Sequence, residues 1–188
     1  DRERLFKILN KNFNTPGERV WLKRRFKEYK IKDQDLSKLK MRMDIIPVSI
    51  ALAQAANESG WGTSRFALEG NALFGQWTWS KKGISPKNKD KNKTHKVLQF
   101  QVLKASVRAY KNNLNTHNAY SEFREARAQI RESNGVINGR ELTQYLKNYA
   151  SIGEKYVAIL NDIIEKNSLT DFDKSNLLLT KSTTGVAL

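Results

Sequence analysis

The 188-residue chain has no cysteine and only two histidines, His95 and His117. The first absence excludes disulfide staples, thiolate metal sites and cysteine nucleophiles together. It says little about compartment, because bacterial exported proteins often lack disulfides. Two histidines by themselves do not make a structural zinc site. Long apolar runs are missing as well. The stretch from Ile45 to Ala56 is broken by Pro47, Ser49 and Gln54, well short of the ~20 residues a membrane-spanning helix needs. No charged segment with an apolar core follows Asp1, so any signal peptide is expected to have been removed or never present. Acidic residues are scarce, 19 against 34 Lys and Arg, which leaves a net charge of +15. Hydrophobic residues make up 39%, yet 8 Phe, 6 Tyr and 4 Trp suffice for a core in a chain of this length and exclude wholesale disorder. One domain with a loose end is expected.

Residues 1–43 read as two or three short amphipathic helices, an extension packed on the main domain. Leu5, Phe6, Leu9 and Phe13 share one face, and Trp21, Leu22, Phe26 and Tyr29 another. Thr15, Pro16 and Glu18 supply an N-cap, a proline at the first helical position and the acid of a capping box. A helix is expected from Asp44 through Glu58, stopped by Gly60, with Glu58 in its last turn. A shorter one spans Thr63 to Leu68 and ends at Gly70. Over 73–102 the period changes to two, in Phe74 to Trp79 and in Val97 to Val102, which predicts a β-hairpin lobe with a long polar tip. Helical periodicity resumes at 106–114, 119–131, 140–149 and 155–166, so the main domain runs over 44–167. The tail, 168–188, is unassigned, although Leu177, Leu178 and Leu179 suit docking on the domain or on a partner. No internal repeat is visible. The fold class is mainly α, of the α+β kind.

Glu58 closes an apolar, small-residue helix, Ala53-Gln54-Ala55-Ala56-Asn57-Glu58. Desolvation and the negative helix end both disfavour its charged form and raise its pKa toward the range of a general acid. The alternative is an ordinary surface glutamate. Gly60 and Gly62 argue for close backbone approach or a tight turn around Trp61, which reads equally as a core tryptophan. Phe74, Trp77 and Trp79 are candidates for stacking on sugar rings, and alternation puts the two tryptophans on one face. Packing inside the lobe is the rival reading. Between Lys81 and Lys96 lie seven lysines and one acid, Asp90, a solvated loop or an attractor of polyanions such as nucleic acid, anionic lipid or acidic wall polymer. Tyr145, Tyr149 and Tyr156 flank a helix-to-helix turn, where they are helix core or, through a hydroxyl, aids to chemistry on a sugar.

Three ordered segments carry a resemblance: Ala53 to Gly62, then Asn71-Ala72-Leu73-Phe74-Gly75, then Tyr149-Ala150-Ser151-Ile152-Gly153-Glu154-Lys155-Tyr156. Together they resemble the bacterial glucosaminidase family, glycoside hydrolase family 73. Thr63 to Ala67, Phe74 to Trp77 and Ser106 to His117 are similar to its Bax-type branch. The resemblance covers about 44–167 and implies a lysozyme-like fold, a helical body and a small β-lobe with a glycan groove between them. It implies that Glu58 is the general acid for a β-1,4 bond on the N-acetylglucosamine side of peptidoglycan. Tyr149 and Tyr156 match groove-wall tyrosines, one of which assists the reaction. Asn71 and Phe74 match the groove floor, Trp61 supports the catalytic turn, and Gln76, Trp77 and Trp79 fall on the substrate side. A second carboxylate usually flanks the bond. Here the candidates are Asp90, the only acid between Gln76 and Phe100, and Glu69 and Glu154. The substrate's own N-acetyl group and a tyrosine-held water are the alternatives.

The expected activity is therefore that of an endo-β-N-acetylglucosaminidase-type hydrolase with no metal and no organic cofactor. Its partner would be peptidoglycan or another glycan containing N-acetylglucosamine, helped by attraction to an anionic wall surface. The expected form is a monomer, exported to the periplasm or cell envelope. A lytic transglycosylase, a glycan-binding module without turnover and a basic nucleic-acid binder are the competing readings. Dispersed arginines and the lack of any nucleic-acid motif count against the last.

Overall fold

The computed structural model of the chain describes residues 1–78, 83–85, 96–133 and 135–175. Three helices open it, α1 (Arg2–Leu9), α2 (Pro16–Glu28) and α3 (Leu36–Arg42). They close on a cluster of their own, Leu5, Ile8, Leu22, Phe26, Tyr29, Ile31, Leu39 and Met43. The capping box forms: Glu18 N–H donates to Thr15 Oγ1 at 3.2 Å, and Thr15 N–H donates to Glu18 Oε2 at 2.8 Å. The expected face through Phe13 does not form. Because α1 stops at Leu9, Phe13 falls in the connecting segment and is 88% exposed, while Ile8 joins Leu5 inside.

The body is built around α4 (Val48–Ser59). This helix starts later than the expected Asp44, because Pro47 biases the residue before it away from helical backbone. Its inner face, Ile50 and Ala53, packs into a cluster with Tyr110 and Leu114 of α6 (Leu103–Thr116), Phe123 and Ala126 of α7 (Ser121–Ser133), and Tyr156, Leu160 and Ile164 of α9 (Glu154–Lys166). Short α5 (Arg65–Gly70) follows α4, a 3-10 turn (Asn118–Tyr120) precedes α7, and α8 (Gly139–Leu142) runs on as the 3-10 segment Thr143–Tyr149.

Part of the expected tail belongs to this body. Residues Leu169–Lys174 form a 3-10 helix with Leu169 buried, and Asp173 supplies the cap that Pro47 does not. The Asp173 carboxylate accepts from Ser49 N–H and Ser49 Oγ, each at 2.8 Å, and from Gly139 N–H at 2.9 Å. A β-carbon on Gly139 would lie 2.0 Å from Ser49 Oγ, so only glycine admits this approach. Leu177, Leu178 and Leu179 lie outside the described residues.

Among the described residues the β-lobe is a three-stranded antiparallel sheet in the order β1 (Trp77–Thr78), β3 (Lys96–Leu98), β2 (Gly83–Ile84). The expected pairing is present, with Trp77 opposite Val97, but the strands are shorter and β2 is an added third. Phe74 lies before the first strand, and Val102 is the N-cap of α6 rather than a strand residue. The chain leaves the sheet at Phe100, whose N–H donates to Gly70 O at 2.8 Å.

A buried ionic junction joins the helices of the first segment to the body. Asp44, 4% exposed, takes two hydrogen bonds from Arg131, Nε at 2.6 Å and Nη2 at 2.7 Å, with Arg2 at 3.3 Å and Arg127 at 3.9 Å. Fully buried Arg127 also donates to Met41 O, Ile45 O and Asn115 Oδ1 at 2.5–2.9 Å. Burial pushes its guanidinium down to about 10, against the pull of Asp44.

Candidate active site

Helix α4 ends in three successive residues of positive φ: Gly60 (56°), Trp61 (57°) and Gly62 (80°). That turn folds the chain back sharply. Buried Ser59 locks it, donating to Ala55 O at 2.5 Å and accepting from Gly62 N–H at 2.7 Å. Trp61 is thereby turned outward, 64% exposed, which excludes the core reading of its side chain. Glu58 stands two residues before the turn, half-buried at the negative end of α4.

The Glu58 carboxyl is lined by neutral groups. Its Oε1 accepts from Tyr156 Oη–H at 2.9 Å and from Asn57 Nδ2 at 3.2 Å. On the other side, a β-carbon built on Gly75 (φ +58°) would lie 3.0 Å from Oε2, so bare backbone abuts this oxygen. Burial pushes the Glu58 carboxyl above the ordinary carboxylate range, and the hydrogen bonds from Tyr156 and Asn57 only partly offset it. No second acid and no cation among the described residues shifts it. Both of these donors engage Oε1.

Tyr156, fully buried, reaches Glu58 from α9. Tyr149 stacks on it with ring centroids 5.7 Å apart and donates its hydroxyl to Phe74 O at 3.0 Å. Burial, reinforced by the Glu58 charge, raises both phenols far above the ordinary tyrosine value, so both remain hydroxyl donors at neutral pH.

The other expected site residues divide. Phe74 is 3% exposed and stacks on Tyr110 at 3.8 Å, so its ring has no face for a sugar and serves the core. Asn71 ends α5 in left-handed conformation and donates Nδ2 to Phe100 O at 3.0 Å, holding the lobe's exit. Trp77, on β1, is 62% exposed and presents an aromatic surface. Gln76 is half-buried, its side-chain oxygen without a hydrogen-bond partner among the described residues. Glu69 is exposed and paired with Arg65 at 3.4 Å, and Glu154 is exposed at the start of α9; neither acts on Glu58. Trp79 and Asp90 lie outside the described residues. Asn57, Gly75, Gln54 and Tyr110 are contributors that the sequence reading did not single out. A glutamine amid Ala53, Ala55 and Ala56 was the available signal for the third, since a polar group on a buried helix face needs a partner.

Among the described residues no group of three or more His, Cys, Asp and Glu side chains is placed to hold a metal ion. No described helix is long and apolar enough to cross a membrane.

A mainly helical body and a small antiparallel lobe thus frame a desolvated glutamate at a helix end. The chain belongs to the glucosaminidase family, described as mannosyl-glycoprotein endo-beta-N-acetylglucosaminidase, whose model matches residues 33–169. It is similar to Protein bax of Escherichia coli (strain K12), 39% identical over 148 residues, which is 76% of this chain and 53% of that protein. The chain thus spans about half the length of the curated relative it matches. No solved structure matches it significantly. Family membership implies a glycan substrate and supports glycosidase-type chemistry.

Proposed function

We propose that the chain hydrolyses the β-1,4 bond after N-acetylglucosamine in peptidoglycan or a related glycan, with Glu58 as the general acid. The observation that carries this reading is a half-buried carboxyl that, among the described residues, meets only neutral donors, its other oxygen against the bare backbone of Gly75. A carboxyl so placed holds a proton at a pH where an ordinary glutamate has lost it, and gives it to the glycosidic oxygen as the bond breaks. The Glu58 carboxylate left behind keeps the Tyr156 hydrogen bond, which is stronger to the charged than to the neutral form. Exposed Trp61, in the turn after α4, and exposed Trp77, on the β-lobe, offer flat surfaces for sugar rings.

The described residues bring no second acid to Glu58. The second step then falls to Asp90, to the substrate's N-acetyl group, or to a water held by Tyr149. Net positive charge favours approach to anionic wall material, and the compartment of such a substrate is the periplasm or cell envelope.

Mass spectrometry of soluble products from purified peptidoglycan, treated with the chain or with folded Glu58→Gln, tests the reading. New reducing ends on N-acetylglucosamine, produced only by the unsubstituted chain, are the expected result. Anhydro ends would make it a transglycosylase, and binding without release would make it a module that holds glycan without cutting.

A further inference from the structure

Behind Glu58 runs a line of buried polar groups whose donors all point the same way. Tyr110 Oη–H on α6 donates to Gln54 Oε1 at 2.7 Å, Gln54 Nε2–H on α4 donates to Tyr156 Oη at 2.8 Å, and Tyr156 Oη–H on α9 donates to Glu58 Oε1 at 2.9 Å. Tyr110, Gln54 and Tyr156 are each at most 1% exposed, so no bulk water substitutes for a missing partner. We propose that Gln54, locked in one amide orientation by the Tyr110 hydroxyl, is the positioning residue that directs the Tyr156 proton onto Glu58. The catalytic consequence rests on Glu58 being the general acid, whereas the hydrogen-bond assignment stands by itself.

A phenol has one proton to give. With the Gln54 amide N–H occupying its acceptor side, Tyr156 is left with Glu58 as the receiver of that proton. Turned by half a rotation, the amide would present its carbonyl to Tyr156, and two acceptors would then compete for one proton. The same rotation would face the Gln54 NH2 toward Tyr110, whose own hydroxyl proton would lose its acceptor in a dry site. A buried donor without an acceptor loses its hydration with nothing in return, which holds one orientation over the other. Tyr110 in turn is fixed by its stacked contact with Phe74, the residue whose carbonyl receives Tyr149. The core is thus continuous with the acid, and an apolar helix face carries one glutamine for a reason that packing does not supply.

The test is the titration of the Glu58 carboxyl, followed by carbon NMR in the full chain. The titratable groups that face it are Tyr110 of α6, Tyr120 of the 3-10 turn, Tyr149 of the segment before α9 and Tyr156 of α9. Burial keeps all four neutral throughout the carboxyl range, so none of them confounds the curve. Tyr110→Phe keeps the ring and deletes only the lock. It is expected to raise the Glu58 titration by about one pH unit, the effect of losing one donor to the charged form. Adding Gln54→Met removes the competing carbonyl, and the double variant is expected to titrate back toward the unsubstituted chain. A purely structural role for Gln54 predicts the opposite, a double variant worse than the single one. An unchanged titration in Tyr110→Phe, or no return in the double variant, would overturn the proposal.

One measurement needs no variant. In the unsubstituted chain, cross-relaxation from the Gln54 side-chain amide protons is expected to reach the Tyr156 ring rather than the Tyr110 ring. The reverse would overturn the assignment even if Tyr110→Phe failed to fold. A correct titration pattern in a chain without turnover on glycan would support the positioning role while removing the catalytic reading of Glu58.

Discussion

Asp44 and Glu58 are both drawn out of water, and their surroundings differ in one respect. Asp44 meets guanidinium groups: Arg131 on two atoms, with Arg2 and Arg127 within 4 Å. Glu58 meets a phenol, an amide and a glycine backbone. Cations next to a buried carboxylate secure its charge and turn it into a clamp between elements. Neutral donors leave the charge poorly compensated, and the group holds a proton that it can hand on. The chain places fifteen more basic than acidic groups overall, yet keeps all of them from Glu58 among the described residues.

Breaking the clamp has the largest expected effect. Arg127→Met leaves Met41 O, Ile45 O and Asn115 Oδ1 without their donor and should cost on the order of 3–5 kcal/mol. Urea unfolding measures it, and a loss under about 1 kcal/mol would show that the junction is not a clamp. Next comes Gly75→Ala, which forces a side chain into left-handed backbone and sets its β-carbon 3.0 Å from Glu58 Oε2. We expect a loss of about 1–2 kcal/mol from the backbone alone, together with a fall in glycan turnover well beyond the loss of folded protein. An unaltered turnover would mean that the approach of Gly75 to the acid is incidental.

The smallest effect sharpens the contrast through pH. Glu58 has a raised pKa when folded, so its protonated form suits the fold and its charge opposes it. The favourable contribution is complete below the ordinary glutamate value and is lost as pH rises through the raised one. Glu58→Gln, which never ionises, should therefore melt at a higher temperature than the unsubstituted chain at neutral pH, with the gap closing toward pH 4. Asp44→Asn should melt lower instead, since it removes the carboxylate charge that faces three arginines. Melting curves of both variants across that pH range test the pair together, and equal shifts of one sign would erase the distinction.

The helices and the desolvated glutamate at the end of α4 were legible in the sequence because their signals are local. Apolar spacing, the Thr15 capping box and the glycine stop after Glu58 each act within a few residues. The start of α4 was misplaced by the same locality, since periodicity extends back to Ile45 but Pro47 decides where the helix begins. What stayed illegible depends on distant partners. Asp173 caps α4 from 124 residues away, and Tyr110 reaches Gln54 across 56. Phe74 stayed open between sugar stacking and core packing because alternation marks two faces without saying which one the core covers. Trp61 escaped a firm reading for a related reason, since three successive positive φ values turn it outward.

The most direct test of Glu58 as a proton donor without a cation is the initial rate of new reducing-end formation on glycan by folded Glu58→Gln, relative to the unsubstituted chain. Loss of the general acid predicts a fall of about 10²- to 10⁴-fold with glycan binding retained. A rate within about tenfold of the original would contradict it, because the proton would then come from another group.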